Sequence, residues 1–351
     1  MARQILILGA SYGSLFATKC LMAGHDVQLV CTPGTAALIN KEGTIVRFPI
    51  KGREGLVDVS SKNLPGKIAG AAPEEVDPRS FDLVVLGMQE GQYGTPGVKE
   101  LMGRIAAARV PALAIMNMPP LSYLKRIPGL DSEALKGCFT DPSVWDSFEP
   151  GLVSLASPDP QAFRPPDQGK NVLQVGLPTN FKAARFEAEA HTALLRELEA
   201  GIDAARYDGI EIPVKLKTHD SIFVPLAKWP MLITGNYRCI TANGPIPIRD
   251  AVHGDIEKSK AVYEWTGKLC QGLGADADDL VPFEKYAKAA EGLLKPSSAA
   301  RALFGGAEHI ERVDCLVRRV AKSQGLESPV LDETVRLVDA QLAKNRAAAK
   351  A

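Results

Sequence analysis

Short apolar runs and amphipathic stretches alternate along the first half of the chain. Residues 5–8 and 27–30 are predominantly apolar and have strand length, which is typical of strands buried on both faces. Between them, residues 15–22 carry apolar side chains near helical spacing, and Gly24 follows as a helix-ending residue. The pattern predicts a strand, a helix and a second strand parallel to the first.

The same alternation continues to about residue 175. It predicts further strands over 81–87, 111–117 and 172–175, helices over 36–42 and 98–108, and a pair of inserted strands within 43–59. Residues 151–170 are rich in proline and polar residues, which predicts an irregular connection at the far edge of the domain. Strands that alternate with helices favour a parallel sheet covered by helices on both faces.

The second half of the chain has a helical pattern instead. Helices are predicted over 186–200, 256–272, 283–294, 308–324 and 330–346, with a further helical segment through 215–238. This change of pattern indicates a separate helical domain that begins near residue 185. The sequence therefore predicts an α/β domain over 1–184 and a helical domain over 185–351.

The turn between the first strand and the first helix consists mainly of small residues, GASYGS over 9–14. Backbone amides in such a turn can approach a pyrophosphate, and the helix dipole favours its negative charge. The turn departs from G-x-G-x-x-G, because Ser11 and Ser14 stand where that motif has its second and third glycines. A glycine-rich turn without a ligand is the alternative. The residues that we expect to bind a dinucleotide here are Gly9, Ala10, Ser11, Tyr12 and Gly13.

The ligand crevice of a doubly wound sheet lies at the carboxyl ends of its strands. The residues that follow the predicted strands add Thr32, Met88, Gln89 and Asn117 to the expected cofactor-binding set. An NAD-preferring site usually has an acidic residue after the second strand, but Cys31 and Thr32 stand here. A carboxylate would repel a 2′-phosphate, so we expect NADP to be preferred over NAD. The preference should be modest, because no arginine follows this strand.

Composition sets limits on partners and location. The 351 residues include 41 basic and 41 acidic side chains, so no net charge recruits nucleic acid or an anionic membrane. The six cysteines show no C-x-x-C spacing and the histidines no metal-ligand spacing. No apolar run reaches 18 residues. We expect a cytoplasmic protein with reduced cysteines and no metal, in which a small anionic substrate would need only local basic groups.

Three stretches together resemble the ketopantoate reductase family, which are NADP-dependent 2-dehydropantoate 2-reductases. They are residues 7–30, the segment KWPMLITGNYRCIT over 228–241, similar to the family's K-x3-N-x3-N helix, and residues 295–329, similar to its S-M…TE-x-D…G-x-x-x-P tail. The resemblance implies an α/β fold with an N-terminal Rossmann-like, doubly wound parallel sheet. It also implies an all-helical C-terminal domain like that of 6-phosphogluconate dehydrogenase, and an active site in the cleft between the domains. It leaves a homodimer open.

The chain departs from the family pattern at several positions. Leu232 replaces the asparagine four residues after the lysine, and only Asn236 is kept. Gln89 stands where the family usually has a lysine, and Met116-Asn117-Met118 replaces a Gln-Asn-Gly motif. These departures leave the substrate and the cofactor preference open.

Hydride transfer to a carbonyl needs a proton donor beside the developing oxyanion. Lys228 fits this role, since apolar neighbours would desolvate it and lower its pKa; a lysine that extends to solvent is the alternative. Asn236 lies two helical turns further, about 80° round from Lys228, so both can face one side. Pro230 requires the helix to begin near Lys228, or it would kink the helix.

Two further candidates follow from the resemblance. Ser297 and Ser298 are predicted at a helix start, where hydroxyls and amides could hold a substrate carboxylate; a plain N-cap is the alternative. The resemblance also implies a catalytic glutamate, which falls on Glu308 or Glu311 with different gaps and on His309 without one. Glu311 is our prediction among the three.

The sequence therefore predicts an NAD(P)H-dependent reductase of a small 2-oxo acid. One alternative is an opine dehydrogenase or imine reductase, which would reduce a C=N bond on the same two-domain plan. The other is a non-catalytic protein that senses NADP(H), which the departures at Ser11, Leu232 and Gln89 favour.

Overall fold

The computed structural model of this chain describes residues 2–350 and contains two compact units. The first unit comprises the residues up to 88, together with 92–126 and 143–222. The second unit comprises 89–91, 127–142 and the residues from 223 onward. The chain therefore passes from the first unit to the second and back before the helical part begins.

The first unit alternates strands and helices, as predicted. Its strands are β1 Gln4–Leu8, β2 Asp26–Val30, β3 Ile45–Pro49, β4 Leu56–Ser60, β5 Ile68–Ala71, β6 Leu83–Leu86, β7 Ala112–Ile115, β8 Val153–Ser157, β9 Gln161–Phe163, β10 Val172–Leu177, β11 Phe181–Ala184 and β12 Leu216–His219. Its α-helices are α1 Gly13–Met22, α2 Pro33–Glu42, α3 Pro96–Ala108, α4 Leu121–Leu124 and α5 Glu189–Ala204.

In the described chain, the main sheet has eight strands in the order β12-β11-β8-β7-β6-β1-β2-β5. The six strands from β8 to β5 are parallel and follow the strand order of a Rossmann fold, which reverses between β1 and β6. Leu8 pairs with Val30 on one side and with Leu86 on the other. The carboxyl ends of these three strands therefore meet at the point where a ligand crevice is expected.

The first unit has a buried core between its sheet and helices. The strands β1, β6 and β7 are buried along nearly their whole length, as expected for parallel strands covered on both faces. All ten residues of α1 are buried, because α1 lies between the sheet and α5. This explains why α1 carries apolar residues all round rather than along one stripe.

The prediction for residues 151–170 is wrong. Val153–Ser157 forms β8 inside the main sheet, and Gln161–Phe163 forms β9 in a second sheet of order β4-β3-β10-β9. The predicted strand at 172–175 exists as β10, but it belongs to this small sheet rather than closing the main one. The proline and polar residues around β8 predicted an irregular segment, although all five residues of β8 are buried. The inserted strands predicted within 43–59 are confirmed as β3 and β4.

The boundary predicted at residue 184 differs from the division between the two units. Strand β11 ends at Ala184, which pairs with His219 of β12, so the chain returns to the main sheet after α5. Helix α5 packs against both α1 and β12. These contacts place residues 185–222 in the first unit, because they extend its sheet and cover its core.

The second unit is mainly helical. Its α-helices are α6 Lys228–Met231, α7 Ile248–His253, α8 Ile256–Gly272, α9 Phe283–Ala290, α10 Ser298–Phe304, α11 Val313–Ser323 and α12 Pro329–Ala348. A π-helical segment, Leu232–Tyr237, continues α6, and the short strands β13 Ile240–Thr241 and β14 Gly244–Pro245 form a hairpin. The helical segment predicted through 215–238 is therefore wrong before residue 224, where β12 and a loop stand instead. No helix within residues 2–350 is both long and apolar enough to cross a membrane.

Candidate functional site

The turn after β1 requires glycine at its first position. Gly9 has φ +103°, and a Cβ added there would lie 2.7 Å from Met88 Cγ and 3.0 Å from the Gly87 carbonyl oxygen. Gly9 also donates its amide to the Val30 carbonyl oxygen at 2.9 Å. The turn is thus pressed against the ends of both neighbouring strands, which accounts for a glycine where the chain reverses.

Helix α1 leaves its first amides directed at the crevice end of the sheet. The first hydrogen bonds of this turn run from Ser14 N to Ser11 O at 3.1 Å and from Leu15 N to Tyr12 O at 3.0 Å. The amides that precede Ser14 lie ahead of these bonds, as at any helix N-terminus. The first turn of α1 contains no acidic residue that would repel an anion. The turn therefore has the local chemistry of a pyrophosphate site.

Asn117 is one of eleven side chains of the described chain with a buried polar atom that lacks a hydrogen-bond partner, and it is the one among them that was predicted to bind the cofactor. It follows β7 at the same end of the sheet, and its Oδ1 atom is buried with no hydrogen-bond partner in the described chain. A buried acceptor without a donor is costly, and most such atoms in proteins are satisfied. A ribose hydroxyl or a carboxamide would supply the missing donor. The predicted cofactor residue Asn117 therefore fits a nicotinamide dinucleotide.

Met88 is held by a residue that the sequence analysis missed. The buried Tyr93 hydroxyl accepts a hydrogen bond from Met88 N at 2.9 Å and lies 3.4 Å from Met88 O. The Tyr93 ring packs edge-on against Trp145. These contacts of Tyr93 hold the Met88 backbone just after β6. Gly9 packs against this part of the chain. No motif marks Tyr93, since only the fold brings its hydroxyl back to the end of the strand.

Thr32 lies at the start of α2, at the carboxyl end of β2. The helix begins at Pro33, three residues earlier than predicted, with Thr32 as its extended N-cap residue. The Thr32 hydroxyl lies 3.1 Å from the hydroxyl of Thr35. Cys31, one residue earlier, is half-buried. This end of β2 carries hydroxyl and thiol groups and no carboxylate, as predicted.

A segment of the small sheet lies along the 9–14 turn. The Tyr12 hydroxyl donates to the Pro160 carbonyl oxygen at 2.7 Å, and Arg164 Nη2 donates to the Ala10 carbonyl oxygen at 3.1 Å. Burial lowers the pKa of Arg164, and the neighbouring Cys31 thiol acts in the opposite direction. Sequence reasoning missed Arg164, because it lies in the stretch that was expected at the far edge of the domain.

The second unit carries the predicted proton donor. Helix α6 begins at Lys228, as Pro230 requires, and Lys228 is half-buried. The π-helical segment that follows has a wider turn than an α-helix. A wider turn means less rotation per residue, so the angle between Lys228 and Asn236 is smaller than the roughly 80° of a regular α-helix. The π segment therefore brings the two predicted catalytic side chains closer to one face, and π turns are frequent at functional sites.

Gly235 makes the π segment possible. A Cβ at this position would lie 2.1 Å from the Tyr286 hydroxyl oxygen and 2.9 Å from Ile248 Cγ2. The Tyr286 hydroxyl donates to the Met231 carbonyl oxygen at 3.1 Å, at the start of the segment. Helix α9 thus packs directly on the backbone of the π segment, which leaves no room for a side chain.

Glu311 is hydrogen-bonded through its backbone carbonyl to the helical segment 228–237. The buried Tyr237 hydroxyl donates to the Glu311 carbonyl oxygen at 2.5 Å and accepts from Val313 N at 3.2 Å. Glu311 Oε1 accepts a hydrogen bond from Glu90 N at 3.2 Å. Residue 311 therefore lies beside both the 228–237 helix and the segment 89–91, which includes the predicted cofactor residue Gln89.

The geometry distinguishes among the three candidates for the family glutamate. Glu308 and His309 are exposed, whereas Glu311 is half-buried and stands in the non-helical stretch just before α11. The backbone of Glu308 contacts Arg346, whose Nε donates to the Glu308 carbonyl oxygen at 3.0 Å. Of these three described residues, Glu311 is the one hydrogen-bonded to Tyr237, in the segment that continues the helix of Lys228, so the geometry favours it.

Glu90 holds the 89–91 segment in the second unit. Its buried carboxylate accepts hydrogen bonds from Thr140 N at 3.0 Å and from Thr140 Oγ1 at 2.8 Å. Burial raises the pKa of Glu90, and the bonds from Thr140 act against this change. The segment that bears Gln89 is therefore anchored by a buried side chain next to it.

The two serines at the start of α10 differ in their environment. Ser297 is buried, accepts from Ala300 N at 3.0 Å and donates its hydroxyl to the Asn236 carbonyl oxygen at 2.7 Å. These bonds occupy the hydroxyl, which favours the N-cap interpretation for Ser297. Ser298 is exposed. Ser297 thus joins α10 to the backbone of Asn236, while Ser298 keeps its side chain accessible.

Known proteins share this fold at low sequence identity. A 2-dehydropantoate 2-reductase from Methylococcus capsulatus has a TM-score of 0.65 and 13% identity, with 97% of each chain covered. D-mandelate dehydrogenase in complex with NADH and anilino(oxo)acetate has a TM-score of 0.63 and 14% identity, covering 98% of this chain and 99% of that one. A dimeric ketopantoate reductase from Staphylococcus aureus has a TM-score of 0.61 and 10% identity, covering 97% and 99%.

No family model and no curated protein matches the sequence itself. The similarity therefore shows the fold, over nearly the full length of the chain. The structural neighbours are ketopantoate reductases and a dehydrogenase of a related acid, which agrees with the family resemblance of residues 7–30, 228–241 and 295–329.

Proposed function

We propose that this protein is an NADPH-dependent reductase of a small 2-oxo acid. The observation that carries the proposal is the pairing of two sites on one chain. The first unit presents a Rossmann turn with an unsatisfied acceptor at Asn117. In the second unit, Lys228 begins α6 and Asn236 lies in the π segment that continues it, while Tyr237 of that segment is hydrogen-bonded to the Glu311 carbonyl oxygen.

The first unit binds the cofactor. The amides of residues 9–13 would bind the pyrophosphate, Thr32 would contact the adenosine ribose, and Met88 and Asn117 would contact the nicotinamide half. A bound nicotinamide dinucleotide supplies the hydride. The resulting reaction consumes NADPH, one proton and a 2-oxo acid and yields NADP⁺ and a 2-hydroxy acid.

The second unit donates the proton and binds the substrate. Lys228 Nζ gives a proton to the substrate oxygen as negative charge develops there, and the Asn236 amide orients the same carbonyl. Ser298 and the nearby amides bind the substrate carboxylate. Glu311 accepts a hydrogen bond from the substrate or from Lys228.

The proposal is tested by mixing the purified protein with NADPH and a panel of 2-oxo acids, with and without added amines. Oxidation of NADPH with an oxo acid alone supports the proposal. Turnover only when an amine is present indicates reduction of a C=N bond, as in an opine dehydrogenase or imine reductase. Tight NADPH binding with no turnover on any carbonyl or imine indicates a sensing protein and overturns the catalytic proposal.

We also propose that the protein works as a homodimer in the cytoplasm. A dimeric ketopantoate reductase shares the fold. The six cysteines are free in the structure, which suits a reducing compartment. Light scattering that gives the mass of one chain, 37.6 kDa, at working concentrations would contradict the dimer.

A further inference from the structure

We propose that Arg164, which directly follows β9 in the small sheet, binds the 2′-phosphate of NADP(H) and sets the cofactor preference. The inference rests on the proposed function, because it concerns the same dinucleotide site. It assigns a role to the inserted sheet, which the hydride-transfer chemistry does not use.

Arg164 lies where the second strand of the Rossmann unit ends. Its Nη2 atom donates to the Ala10 carbonyl oxygen at 3.1 Å, so the guanidinium is fixed at the 9–14 turn. The guanidinium is also within electrostatic reach of the Cys31 thiol, just after β2. The amide of Gly9 bonds to the Val30 carbonyl, so these two strand ends are immediate neighbours.

The end of the second strand is the place where Rossmann proteins distinguish the two cofactors. An acidic residue there binds the ribose 2′-hydroxyl of NAD, whereas an arginine nearby accommodates the 2′-phosphate of NADP. Cys31 and Thr32 supply neither charge. In the structure, Arg164 supplies the positive charge that Cys31 and Thr32 lack, although it is far from them in sequence.

The Arg164 guanidinium has further N–H donors besides the one bonded to Ala10. Within residues 2–350, the thiol of Cys31 rather than a carboxylate is the acidic group beside Arg164, and the hydrogen bond to Ala10 uses one of its five N–H groups. A guanidinium binds phosphate through two parallel hydrogen bonds, which is the geometry that makes arginine preferred at such sites. Arg164 is half-buried, so a bound phosphate would be partly shielded from salt.

The segment that carries Arg164 is held in place on both sides. Phe163, the last residue of β9, pairs with Gln174 of β10. Pro160, just before β9, accepts the hydrogen bond from the Tyr12 hydroxyl. The arginine is therefore presented by a structured strand end rather than by a free loop.

The test compares two nucleotide fragments by titration calorimetry, with no turnover needed. Adenosine 2′,5′-bisphosphate carries the 2′-phosphate and adenosine 5′-monophosphate lacks it. For wild type we expect tighter binding of the bisphosphate. Arg164→Met should weaken the bisphosphate by about 10–100-fold, the loss expected for hydrogen bonds to a charged group, and leave the monophosphate within about twofold.

Two further variants control the experiment. Arg47→Met removes an arginine of the same small sheet that is paired with Asp58, and it should change neither affinity. Arg164→Lys keeps the positive charge but loses the two parallel N–H donors of the guanidinium. It should therefore retain part of the preference for the bisphosphate. Circular dichroism on each variant verifies that the sheet is folded.

The outcomes separate this inference from the proposed function. If Arg164→Met weakens both fragments equally, or wild type does not prefer the bisphosphate, Arg164 only supports the turn through Ala10 and the inference is overturned, while the reductase proposal stands. If wild type binds neither the fragments nor NADPH and NADH, the dinucleotide site is absent and the proposed function fails with it.

Discussion

The Tyr237 hydroxyl donates a hydrogen bond of 2.5 Å to the backbone carbonyl of Glu311. Tyr237 directly follows Asn236 in the π-helical segment, so this bond joins two predicted catalytic positions that are far apart in sequence. The same hydroxyl accepts the amide of Val313, at the first residue of α11. One buried side chain thereby fixes the start of α11 and the position of Glu311 relative to the 228–237 helix.

Tyr237→Phe removes that link and leaves a buried carbonyl and a buried amide unpaired. We expect the free energy of unfolding to fall by roughly 1–3 kcal/mol. We also expect kcat to fall while NADPH affinity stays unchanged, because Glu311 is displaced and the cofactor site belongs to the other unit. Tyr263→Phe is the matched control, since its hydroxyl bonds to the Val281 carbonyl at 2.8 Å. A similar loss of stability with full kcat in both variants would show that Tyr237 is structural only.

Gly235→Ala should disturb the π segment through Tyr286. The added Cβ would meet the Tyr286 hydroxyl at 2.1 Å, so we expect a loss of about 1–3 kcal/mol in unfolding free energy. Combining Gly235→Ala with Tyr286→Phe removes the closest clash. Urea unfolding of the two single variants and the double variant gives a double-mutant cycle. Additive losses would contradict this account, whereas recovery in the double variant supports it.

Lys19 should make stability depend on pH. It is 1% exposed, and its Nζ donates to the Ile212 carbonyl at 2.8 Å; burial is the main cause that lowers its pKa to about 7. Between about pH 7 and pH 10 the unfolded chain keeps a proton on this lysine that the folded chain lacks. Stability therefore rises with pH in that window, by up to about 1.4 kcal/mol per pH unit from this group.

Lys19→Met isolates this effect. Urea unfolding of wild type and Lys19→Met across the window should give curves that differ by the lysine contribution, since all other groups titrate in both proteins. The difference should grow in favour of wild type as pH rises. A constant difference would mean that Lys19 stays charged in the folded protein.

Ser298→Ala tests the proposed carboxylate contact. The loss of a hydrogen bond to a charged group, about 1.5–3 kcal/mol, should raise the KM for a 2-oxo acid by about 10–100-fold and leave NADPH affinity unchanged. Steady-state kinetics at saturating NADPH measures it. Ser297→Ala serves as the comparison, because it removes the cap of α10 and should lower stability by about 1 kcal/mol. An unchanged KM in Ser298→Ala would limit this serine to the helix start.

Elements of both units could be predicted from the sequence where periodicity and burial agree. Residues 5–8 form a strand because four consecutive apolar residues suit a strand covered on both faces, and residues 256–272 form a helix because their apolar residues recur at helical spacing. Strand β8 could not be predicted, because prolines flank it and its burial comes from the neighbouring strands.

The candidate site was predictable only where the chemistry is local in sequence. The 9–14 turn and the start of α6 at Lys228 follow from glycine and proline positions. The π register depends on the packing of Tyr286 against Gly235, and the position of Arg164 depends on a contact 154 residues away in sequence. Tyr93 contacts Met88 only five residues earlier, but no motif marks this contact. Glu311 was predicted without a count of residues that decides among the three candidates, and the bond to Tyr237 is the observation that separates Glu311 from Glu308 and His309.

The most direct test of the account is deuteride transfer by wild type and Lys228→Met. NADPH deuterated at the transferable position is incubated with a 2-oxo acid that wild type reduces, and the product is analysed by mass spectrometry. We expect wild type to place one deuterium on the carbon that bore the oxo group. Lys228→Met should remain folded and bind NADPH, but its kcat should fall by about 10²–10⁴-fold, as for loss of a general acid. Transfer by Lys228→Met at near wild-type rate would contradict the assignment of the 228–237 helix as the catalytic helix.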